Sequence, residues 1–284
     1  MSGTLFVVAT PIGNLEDVTL RALHVLRDVD LIAAEDTRRT ARLLARHGIS
    51  TPLLSFHQHN ARSRTPQLLT RLSAGQRVAL VTDAGTPGLS DPGVELVNAC
   101  VGAHVMVDPI PGVSAPLAAA VVSGFPLIPL TIFGFPPRRA KDRAALFSEF
   151  SSVRHTLTFF ESPLRIAATL EEIDGALGDR PIMVAREITK VHQEFVRGTA
   201  AALFPQLRQV KGEITVVVGP ENKRVMLIDQ FGESAITSAV AYFGHLADSG
   251  ASGRRQAISQ AAKRFGVSTR AVYQAIVQAK SSTG

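Results

Sequence analysis

Short apolar runs alternate with amphipathic segments along the first half of the chain. Val78–Val81 is a continuous apolar run, as expected of a strand that is buried on both faces. Strands are predicted at Leu5–Ala9, Asp30–Glu35, Leu53–Phe56, Val78–Val81 and His104–Val107. Helical spacing of apolar residues predicts helices through Leu20–Leu26 and Thr40–Leu44 and over Asn60–Ser73 and Val94–Val101. This alternation indicates a mostly parallel sheet that is covered by helices on both faces.

A second set of elements, with shorter strands and less regular helical segments, begins after Ile128. Ile214–Val218 reads I-T-V-V-V, and its β-branched residues favour a strand. Further strands are predicted at Thr131–Phe135, Thr156–Phe160, Ile182–Ala185 and Glu194–Arg197, with a helix that ends at Phe150. These elements predict a second α/β domain with a mixed sheet. Since the link between the two domains is short, we expect a ligand cleft between them.

From Glu221 onward the composition shifts toward Ala, Ser, Gln and Arg. Helices are predicted through Ile236–Phe243, Ile258–Ala262 and Val272–Val277, and Ser268 is the expected N-cap of the last one. Two helices joined by a short turn that contains Gly resemble a helix-turn-helix, although many small helical bundles share the pattern. The predicted domains are therefore an α/β domain at 1–128, a second α/β domain at 129–220 and a small helical domain at 221–284.

Charge and cysteine content narrow the possible partners. The net charge is +6, and residues 234–284 carry six Lys and Arg side chains against Asp248 alone. This excess favours a polyanionic partner, while a solvated helical face remains the other explanation. The single cysteine, Cys100, excludes a disulfide framework. No apolar run reaches the roughly 20 residues that cross a bilayer, and no basic leader precedes the first strand, so we expect a cytoplasmic protein without a membrane partner.

The loop after Val78–Val81 is the first candidate for a binding site. It reads T-D-A-G-T-P-G-L-S-D-P-G and combines fixed turns, carboxylates and glycines that allow close approach of the backbone to a ligand. In open α/β sheets, ligands bind in loops at the carboxyl ends of the parallel strands. The sequence therefore predicts that a small molecule binds there.

Several familiar chemistries are excluded by the motifs. The turn T-P-I-G-N-L departs from the dinucleotide fingerprint G-x-G-x-x-G, and neither a P-loop nor a G-x-S-x-G elbow occurs. His57 and His59 lie two residues apart without a clear third ligand, so no metal site is expected. The loops rich in Gly and Pro at the strand ends suit a reaction whose reagent is already activated, so that positioning of the reactants provides most of the catalysis. Methyl transfer from a sulfonium donor is such a reaction.

Motifs along about 220 residues resemble those of the tetrapyrrole methylase superfamily. They are V-A-T-P-I-G-N-L-E-D, A-E-D-T-R, T-D-A-G-T-P-G-L-S-D-P-G, P-G-V-S-A, F-F-E-S-P-L-R-I, R-E-I-T-K and K-G-E. The resemblance implies a two-domain fold with S-adenosylmethionine in the cleft between the domains, and a homodimer. The positions that it assigns to the cofactor are Pro11, Asp83, Gly85, Thr86, Ser114, Ala115, Phe160, Ala185 and Gly212.

Among members of this superfamily, the chain is most similar to enzymes that methylate the 2'-hydroxyl of a cytidine in the decoding region of 16S rRNA. The resemblance therefore implies 16S rRNA within the 30S subunit as the partner, and no DNA. A general base would assist the ribose hydroxyl, and the candidates are Asp36, Glu161, Glu187 and Glu213. Each candidate has basic neighbours in sequence, so pairing that holds the loops in place is the alternative role.

RNA contact is expected to be mostly electrostatic. The candidate contacts are Arg138, Arg139, Lys141, Arg143, Arg254, Arg255, Lys263 and Arg264. Two other functions stay open. One is a C-methyltransferase that acts on a tetrapyrrole precursor of the corrin type, although those enzymes more usually have a Gly-rich first loop and lack the basic tail. The other is a DNA-binding regulator whose α/β part senses a small ligand.

Overall fold

The computed structural model describes residues 3–89, 91, 93–221, 238–243, 246, 254–265, 269, 272–273 and 275–276. The contacts divide the chain into two compact units, Met1–Pro220 and Glu221–Gly284. This division is coarser than the three predicted domains, whose boundaries stay a prediction. No helix among the described residues is long and apolar enough to cross a membrane.

The first sheet of unit Met1–Pro220 is parallel throughout. Its strands are β1 (Thr4–Val8), β2 (Leu31–Ala34), β3 (Leu53–Ser55), β4 (Val78–Val81) and β5 (Met106–Ile110), in the order β3-β2-β4-β1-β5. The helices that connect or follow these strands are α1 (Leu20–Asp28), α2 (Thr37–Arg46), α3 (Ala61–Ser73), α4 (Gly93–Gly102) and α5 (Ala115–Ser123). All four residues of β2 and of β4 are buried, as their continuous apolar sequences predict.

The strand order reverses between β4 and β1, and this is the place where doubly wound sheets bind ligands. The loops after β1 and β4 meet there. Thr10 and Gly85 form an isolated antiparallel bridge with two backbone hydrogen bonds, each 2.9 Å long. The small molecule expected after Val81 would therefore contact two loops that are already joined.

The second sheet is mixed, as predicted. Its strands are β6 (Leu130–Ile132), β7 (Thr156–Glu161), β8 (Ile182–Arg186), β9 (Glu194–Gly198) and β10 (Ile214–Val218), in the order β6-β7-β10-β8-β9. Only the pair β6 and β7 is parallel among the described pairs of this sheet. Helices α6 (Ala140–Phe150), α7 (Ile166–Leu177) and α8 (Ala200–Leu203) complete this part of the chain.

The cores follow from these layers. Phe147 of α6 packs with Phe159 of β7 and with buried residues of α7 and β8 in one cluster. Two further clusters contain the buried residues on the first sheet and its helices. Ala119 of α5 packs against Met183, Ala185 and Val217 of the second sheet. Helix α5 therefore follows the first sheet in the chain but is packed on the second.

Some elements differ from the predicted ones. The strand expected at His104–Val107 begins at Met106, because His104 has a φ of +54° and belongs to the turn after α4. Helices α5, α7 and α8 were not predicted from the sequence. The α/β fold class with a parallel and a mixed sheet is confirmed.

In unit Glu221–Gly284, the described residues include helical residues 238–243 and the helix Arg254–Phe265. They share a small apolar core formed by Ala239, Ile258, Ala261, Ala262, Val272 and Ile276. The guanidinium of Arg264 lies 4.7 Å from the ring centroid of Tyr242. The predicted N-cap Ser268 and the predicted helix positions Ile236 and Val277 lie outside the described residues.

Candidate active site

A cavity of about 430 Å³ lies where the loops of the first sheet meet the ends of β7 and β10. We call it the first cavity. From the first sheet it is lined by residues of the loops after β1, β2 and β4 and by the start of α5. From the second sheet it is lined by residues near the ends of β7 and β10. Its volume falls in the range of about 300 to 1,000 Å³ that is usual for small-molecule sites.

Asp83 lies in the wall of this cavity and is held from the side of β2. One carboxylate oxygen accepts a hydrogen bond of 2.9 Å from the backbone N–H of Asp36, and the other lies 3.5 Å from the Arg39 guanidinium. Partial burial and the nearby charge of Glu35 raise the pKa of Asp83, against the opposite effect of Arg39. The ionised carboxylate of Asp83 is therefore poised to gain from a cationic ligand.

Glu35, at the end of β2, holds the loop after β4 through hydrogen bonds. Its Oε2 accepts hydrogen bonds from the Thr82 hydroxyl at 2.6 Å and from the backbone N–H of Asp83 at 3.1 Å. Asp91 closes the far end of the loop by accepting from the backbone N–H groups of Gly88 and Gly93, at 2.8 and 2.7 Å. Burial raises the pKa of Asp91 despite these hydrogen bonds. All three carboxylates line the first cavity.

The first cavity also contains a glycine with a positive φ and a buried hydroxyl without a hydrogen-bond partner among the described residues. Gly85 has a φ of +85°, a conformation that other residues rarely adopt, so the bridge to Thr10 depends on glycine there. Ser114, at the start of α5, has a buried hydroxyl without a hydrogen-bond partner among the described residues. Because buried polar groups are normally paired, this hydroxyl marks a contact that a ligand would supply.

Glu161 lies in the opposite wall of the first cavity, and both of its carboxylate oxygens are hydrogen-bonded to neighbouring residues. One oxygen accepts from the backbone N–H of Ser162 and pairs with Arg165, both at 2.6 Å, and the other accepts from the Thr169 hydroxyl at 2.6 Å. The residue is only 2% exposed. Its carboxylate therefore holds the turn between β7 and α7 in place.

A second cavity of about 310 Å³ adjoins the first and shares lining residues with it, among them Arg39, Asp83 and Glu213. Lys190 lines the second cavity and bonds to Glu187 Oε1 at 2.8 Å and to Glu213 Oε2 at 3.0 Å. Burial opposes the charge on Lys190, but these two hydrogen bonds outweigh it and raise the pKa of the ammonium. The hydrogen bonds from Lys190 and from the backbone N–H of Glu213 lower the pKa of Glu187.

The structure brings most of the expected cofactor positions together. Residues that line the first cavity are Asp83, Gly85, Thr86, Ser114, Ala115, Phe160 and Gly212. Pro11 lines the second cavity instead. Ala185 is fully buried in β8, where it pairs with Thr215 of β10, and lines neither of these cavities.

The four candidate bases are in different surroundings. Asp36 caps α2, and its hydrogen bonds to Arg38 lower its pKa to about 2. Neither Asp36 nor Glu187 lines the two cavities, whereas Glu161 lines the first and Glu213 lines both. The Glu213 side chain is 63% exposed, and no hydrogen bond within the described residues engages its Oε1.

The expected RNA contacts also separate into groups. Arg138, Arg139 and Lys141 are exposed, but Arg143 is 5% exposed and forms two 2.7 Å hydrogen bonds to Glu172 of α7. The Arg143 side chain is therefore buried and paired with Glu172, and it is not exposed for contact with RNA as its neighbours are. Lys263 and Arg264 are exposed in the other unit. The side chains of Arg254 and Arg255 lie outside the described part of the chain.

Two charged residues that line the first cavity, Glu35 and Arg39, were not singled out from the sequence. Glu35 and Asp83 are 48 positions apart in the chain, and only the pairing of β2 with β4 brings them together. A signal was present for both, since Glu35 lies within the motif A-E-D-T-R at a predicted strand end and Arg39 directly follows that motif.

The comparisons with known proteins agree with this geometry. Residues 4–203 match the model of the tetrapyrrole (corrin/porphyrin) methylases. A protein from Thermotoga maritima, named ribosomal RNA small subunit methyltransferase I, is 48% identical over 218 residues, which cover 76% of this chain and 98% of the relative. Proteins of the same name from Halalkalibacterium halodurans and Bacillus subtilis are 41% and 40% identical and cover 95% and 96% of this chain, with 93% and 94% of their own lengths.

This chain belongs to the ribosomal RNA small subunit methyltransferase I family of tetrapyrrole methylases. The family expected from the sequence motifs is thereby confirmed. Solved tetrapyrrole methylases share the fold. A uroporphyrin III C-methyl transferase from Thermus thermophilus, complexed with S-adenosylhomocysteine, has a TM-score of 0.56 at 20% identity and covers 78% of this chain and 100% of its own. Diphthine synthase has a TM-score of 0.60 at 13% identity, covering 76% of this chain and 90% of its own.

Proposed function

We propose that this enzyme transfers the methyl group of S-adenosylmethionine to the 2'-hydroxyl of a cytidine in the decoding region of 16S rRNA, on the assembled 30S subunit. Its class, a methyltransferase that uses S-adenosylmethionine and acts on rRNA, follows from its family. The observation that carries the finer proposal is the pair of adjoining cavities with Glu213 in the wall that they share. One cavity is suited to the methyl donor and the other to the ribose.

The first cavity fits the methyl donor on the chemistry of its lining. S-adenosylmethionine supplies an activated methyl group on a sulfonium centre, together with an ammonium group and ribose hydroxyls. Asp83 and Asp91 offer carboxylates that can accept from the ammonium or a hydroxyl, and Ser114 offers its unpaired hydroxyl. Phe135 and Phe160, whose ring centroids are 5.2 Å apart, provide an apolar surface on the opposite wall.

Glu213 is the candidate base that the geometry favours. Its Oε1 has no partner among the described residues, while Lys190 holds Oε2 and orients the carboxylate. The other candidates are unsuitable for physical reasons. Asp36 and Glu187 do not line the two cavities. Both carboxylate oxygens of Glu161 already accept hydrogen bonds from neighbouring residues. In this role Glu213 would take the proton of the ribose hydroxyl as its oxygen attacks the methyl carbon.

Exposed apolar residues support the expected homodimer. Val121 of α5 is 65% exposed, Val101 of α4 is 61% exposed, and Met106 of the edge strand β5 is 67% exposed. A second copy of the chain would bury such side chains, and light scattering at micromolar concentration measures whether it does.

As a partner of ribosomal subunits, the enzyme is proposed to work in the cytoplasm.

The test of the proposed function offers the enzyme methyl-labelled S-adenosylmethionine and three acceptors. These are 30S subunits that lack their methylations, naked 16S rRNA and a tetrapyrrole precursor. Label in 2'-O-methylcytidine of the 30S subunit is the expected result, and its absence from naked rRNA would mean that the assembled subunit is recognised. Label in the tetrapyrrole alone would refute the proposal and leave only the fold and the cofactor.

A further inference from the structure

Three arginines form a row on α2 that leads from the wall of the first cavity outward along the adjoining space. Arg39, Arg42 and Arg46 follow one another at the spacing i, i+3 and i+7, which places them on one face of the helix. Arg39 and Arg42 line the second cavity. Arg46 lines an outer cavity of about 620 Å³ that shares Gly13, Leu15 and Lys190 with the second cavity. The second and outer cavities therefore form one groove that starts at Glu213 and ends beyond Arg46.

The other wall of this groove is built by a tight contact between two loops. The backbone N–H of Asn14 donates to the Thr189 hydroxyl at 3.1 Å. A Cβ atom on Gly13 would lie 2.5 Å from Cγ of Lys190, so this position admits only glycine without a shift of the neighbouring chain. Glu187 and Thr189 have φ values of +51° and +66°, a strained conformation that the contact maintains. The groove is thus a preformed feature of unit Met1–Pro220.

The charges in the groove change along its length. Near the first cavity, Arg39 lies by Asp83, and Lys190 bonds to Glu187 and Glu213. Farther along, neither Arg42 nor Arg46 has a hydrogen bond or ion pair from its guanidinium to any described residue, and both are exposed. Glu16 lines the outer cavity with Arg46 but forms no ion pair with it. Two guanidinium groups are therefore available to anions at the end that is remote from the methyl donor.

We infer that this groove binds the RNA backbone next to the target ribose, with Arg42 and Arg46 as its phosphate contacts. The inference rests on the proposed function and extends it to a binding site for the substrate. Guanidinium groups suit phosphates because their planar N–H donors match the phosphate oxygens. With the ribose at Glu213, the chain of phosphates would continue along α2. The residues Arg42 and Arg46 bind and position the RNA and take no part in the chemistry.

The test compares the wild-type enzyme with R42A, R46A and the double variant R42A/R46A. The matched control is R71A, an exposed arginine of α3 that lines none of the cavities described above. We would measure equilibrium binding to 30S subunits and to naked 16S rRNA over a series of salt concentrations, together with S-adenosylhomocysteine binding and turnover. These variants replace exposed side chains with a strong helix former, so folding is not expected to suffer.

The double variant is expected to bind RNA about tenfold more weakly at physiological salt, which corresponds to about 1.4 kcal/mol. The slope of log affinity against log salt should become shallower by about one for each arginine. Affinity for S-adenosylhomocysteine should stay at the wild-type level, because neither arginine lines the first cavity, and R71A should match the wild type throughout.

Two outcomes would overturn the inference. Unchanged affinity of the double variant would show that the groove does not bind the RNA. Weaker affinity with an unchanged salt slope would show that the arginines contact something other than phosphate, such as a ribosomal protein. Failure of the wild-type enzyme to methylate 30S subunits would instead refute the proposed function, while the binding data on naked 16S rRNA would still decide the inference.

Discussion

Asp83 is a carboxylate whose surroundings disfavour its charge until a ligand arrives. Burial and Glu35 raise its pKa, and Arg39 compensates only in part. We predict that Asp83→Asn weakens S-adenosylhomocysteine binding at pH 7 by about tenfold or more, since a hydrogen bond to a charged group contributes about 1.5 to 3 kcal/mol. The melting temperature of the ligand-free variant should not fall, because the destabilising charge is removed. Calorimetry measures both quantities.

The pH dependence of binding gives a second measurement on the same residue. A raised pKa means that the folded, ligand-free protein takes up the proton of Asp83 at a higher pH than the usual value of 3.8. Affinity for the ligand should therefore be full above the raised pKa and decline as the pH falls through it. Asp83→Asn should reduce this decline, leaving the part that comes from Asp91, whereas the exposed control Asp174→Asn should behave like the wild type. An identical decline in the wild type and in Asp83→Asn would contradict the assignment.

Glu213 gives a prediction about chemistry. If its carboxylate takes the proton of the ribose hydroxyl, Glu213→Gln should lower kcat by about 100-fold, with little change in S-adenosylhomocysteine affinity. Single-turnover methylation of 30S subunits measures this effect. Glu161→Gln is the informative contrast because Glu161 is buried and fully paired. That variant should lose stability in urea unfolding, and a kcat of Glu213→Gln equal to the wild-type value would exclude Glu213 as the base.

At the scale of elements, the pair Arg143 and Glu172 joins α6 to α7. The guanidinium of Arg143 also donates to the carbonyls of Pro137 and Arg138, so it fixes the loop before α6. We predict that Arg143→Ala destabilises the protein by about 3 kcal/mol or more, because it leaves Glu172 without its partner in a largely buried place. Chemical denaturation measures the change.

The exposed basic residues of the same loop provide the comparison. A triple variant with Arg138→Ala, Arg139→Ala and Lys141→Ala should keep the wild-type stability, since these side chains are exposed. If the loop contacts RNA, the triple variant should bind 30S subunits more weakly and with a shallower salt slope. A large loss of stability in the triple variant, or none in Arg143→Ala, would reverse the roles assigned to these residues.

The elements that the sequence predicted well are those whose burial is uniform or periodic. Val78–Val81 and Ile214–Val218 were predicted with the bounds that the structure has, because every residue of each strand is buried. Helix α5, A-P-L-A-A-A-V-V-S, has no polar face to reveal a helical period, since it packs on the second sheet while retaining exposed apolar residues. Helix α7, in contrast, has apolar residues at helical spacing, with Ile166, Leu170, Ile173 and Leu177 buried, so the sequence did contain the signal for it.

The candidate site was predictable only as far as its residues are close in the sequence. The loop after β4 is a contiguous motif, and most of its assigned positions line one cavity. The support that Glu35 gives to Asp83 depends on the pairing of β2 with β4, which periodicity does not specify. Likewise, Arg143 has the same charge as its exposed neighbours, and only its contact with Glu172 distinguishes it from them.

At the scale of the whole molecule, the two units have separable tasks. We predict that residues 1–220 alone bind S-adenosylhomocysteine with the affinity of the full chain, because every residue that lines the first cavity lies in that unit. Methylation of 30S subunits should continue with a raised KM, since part of the positive charge is removed. Titration calorimetry and steady-state kinetics on the truncated and full chains measure these effects. Loss of cofactor binding on truncation would contradict the prediction.

The bridge between Thr10 and Gly85 has a consequence for the thermodynamics of donor binding. Because the loops after β1 and β4 are joined by two backbone hydrogen bonds, neither can sample open conformations independently. A ligand that settles against them has little conformational entropy to remove from this wall. The favourable enthalpy of donor binding should therefore be offset only slightly by loss of conformational entropy in these two loops. Gly85 is the position on which this advantage depends, since its backbone conformation is the one that other residues adopt only under strain.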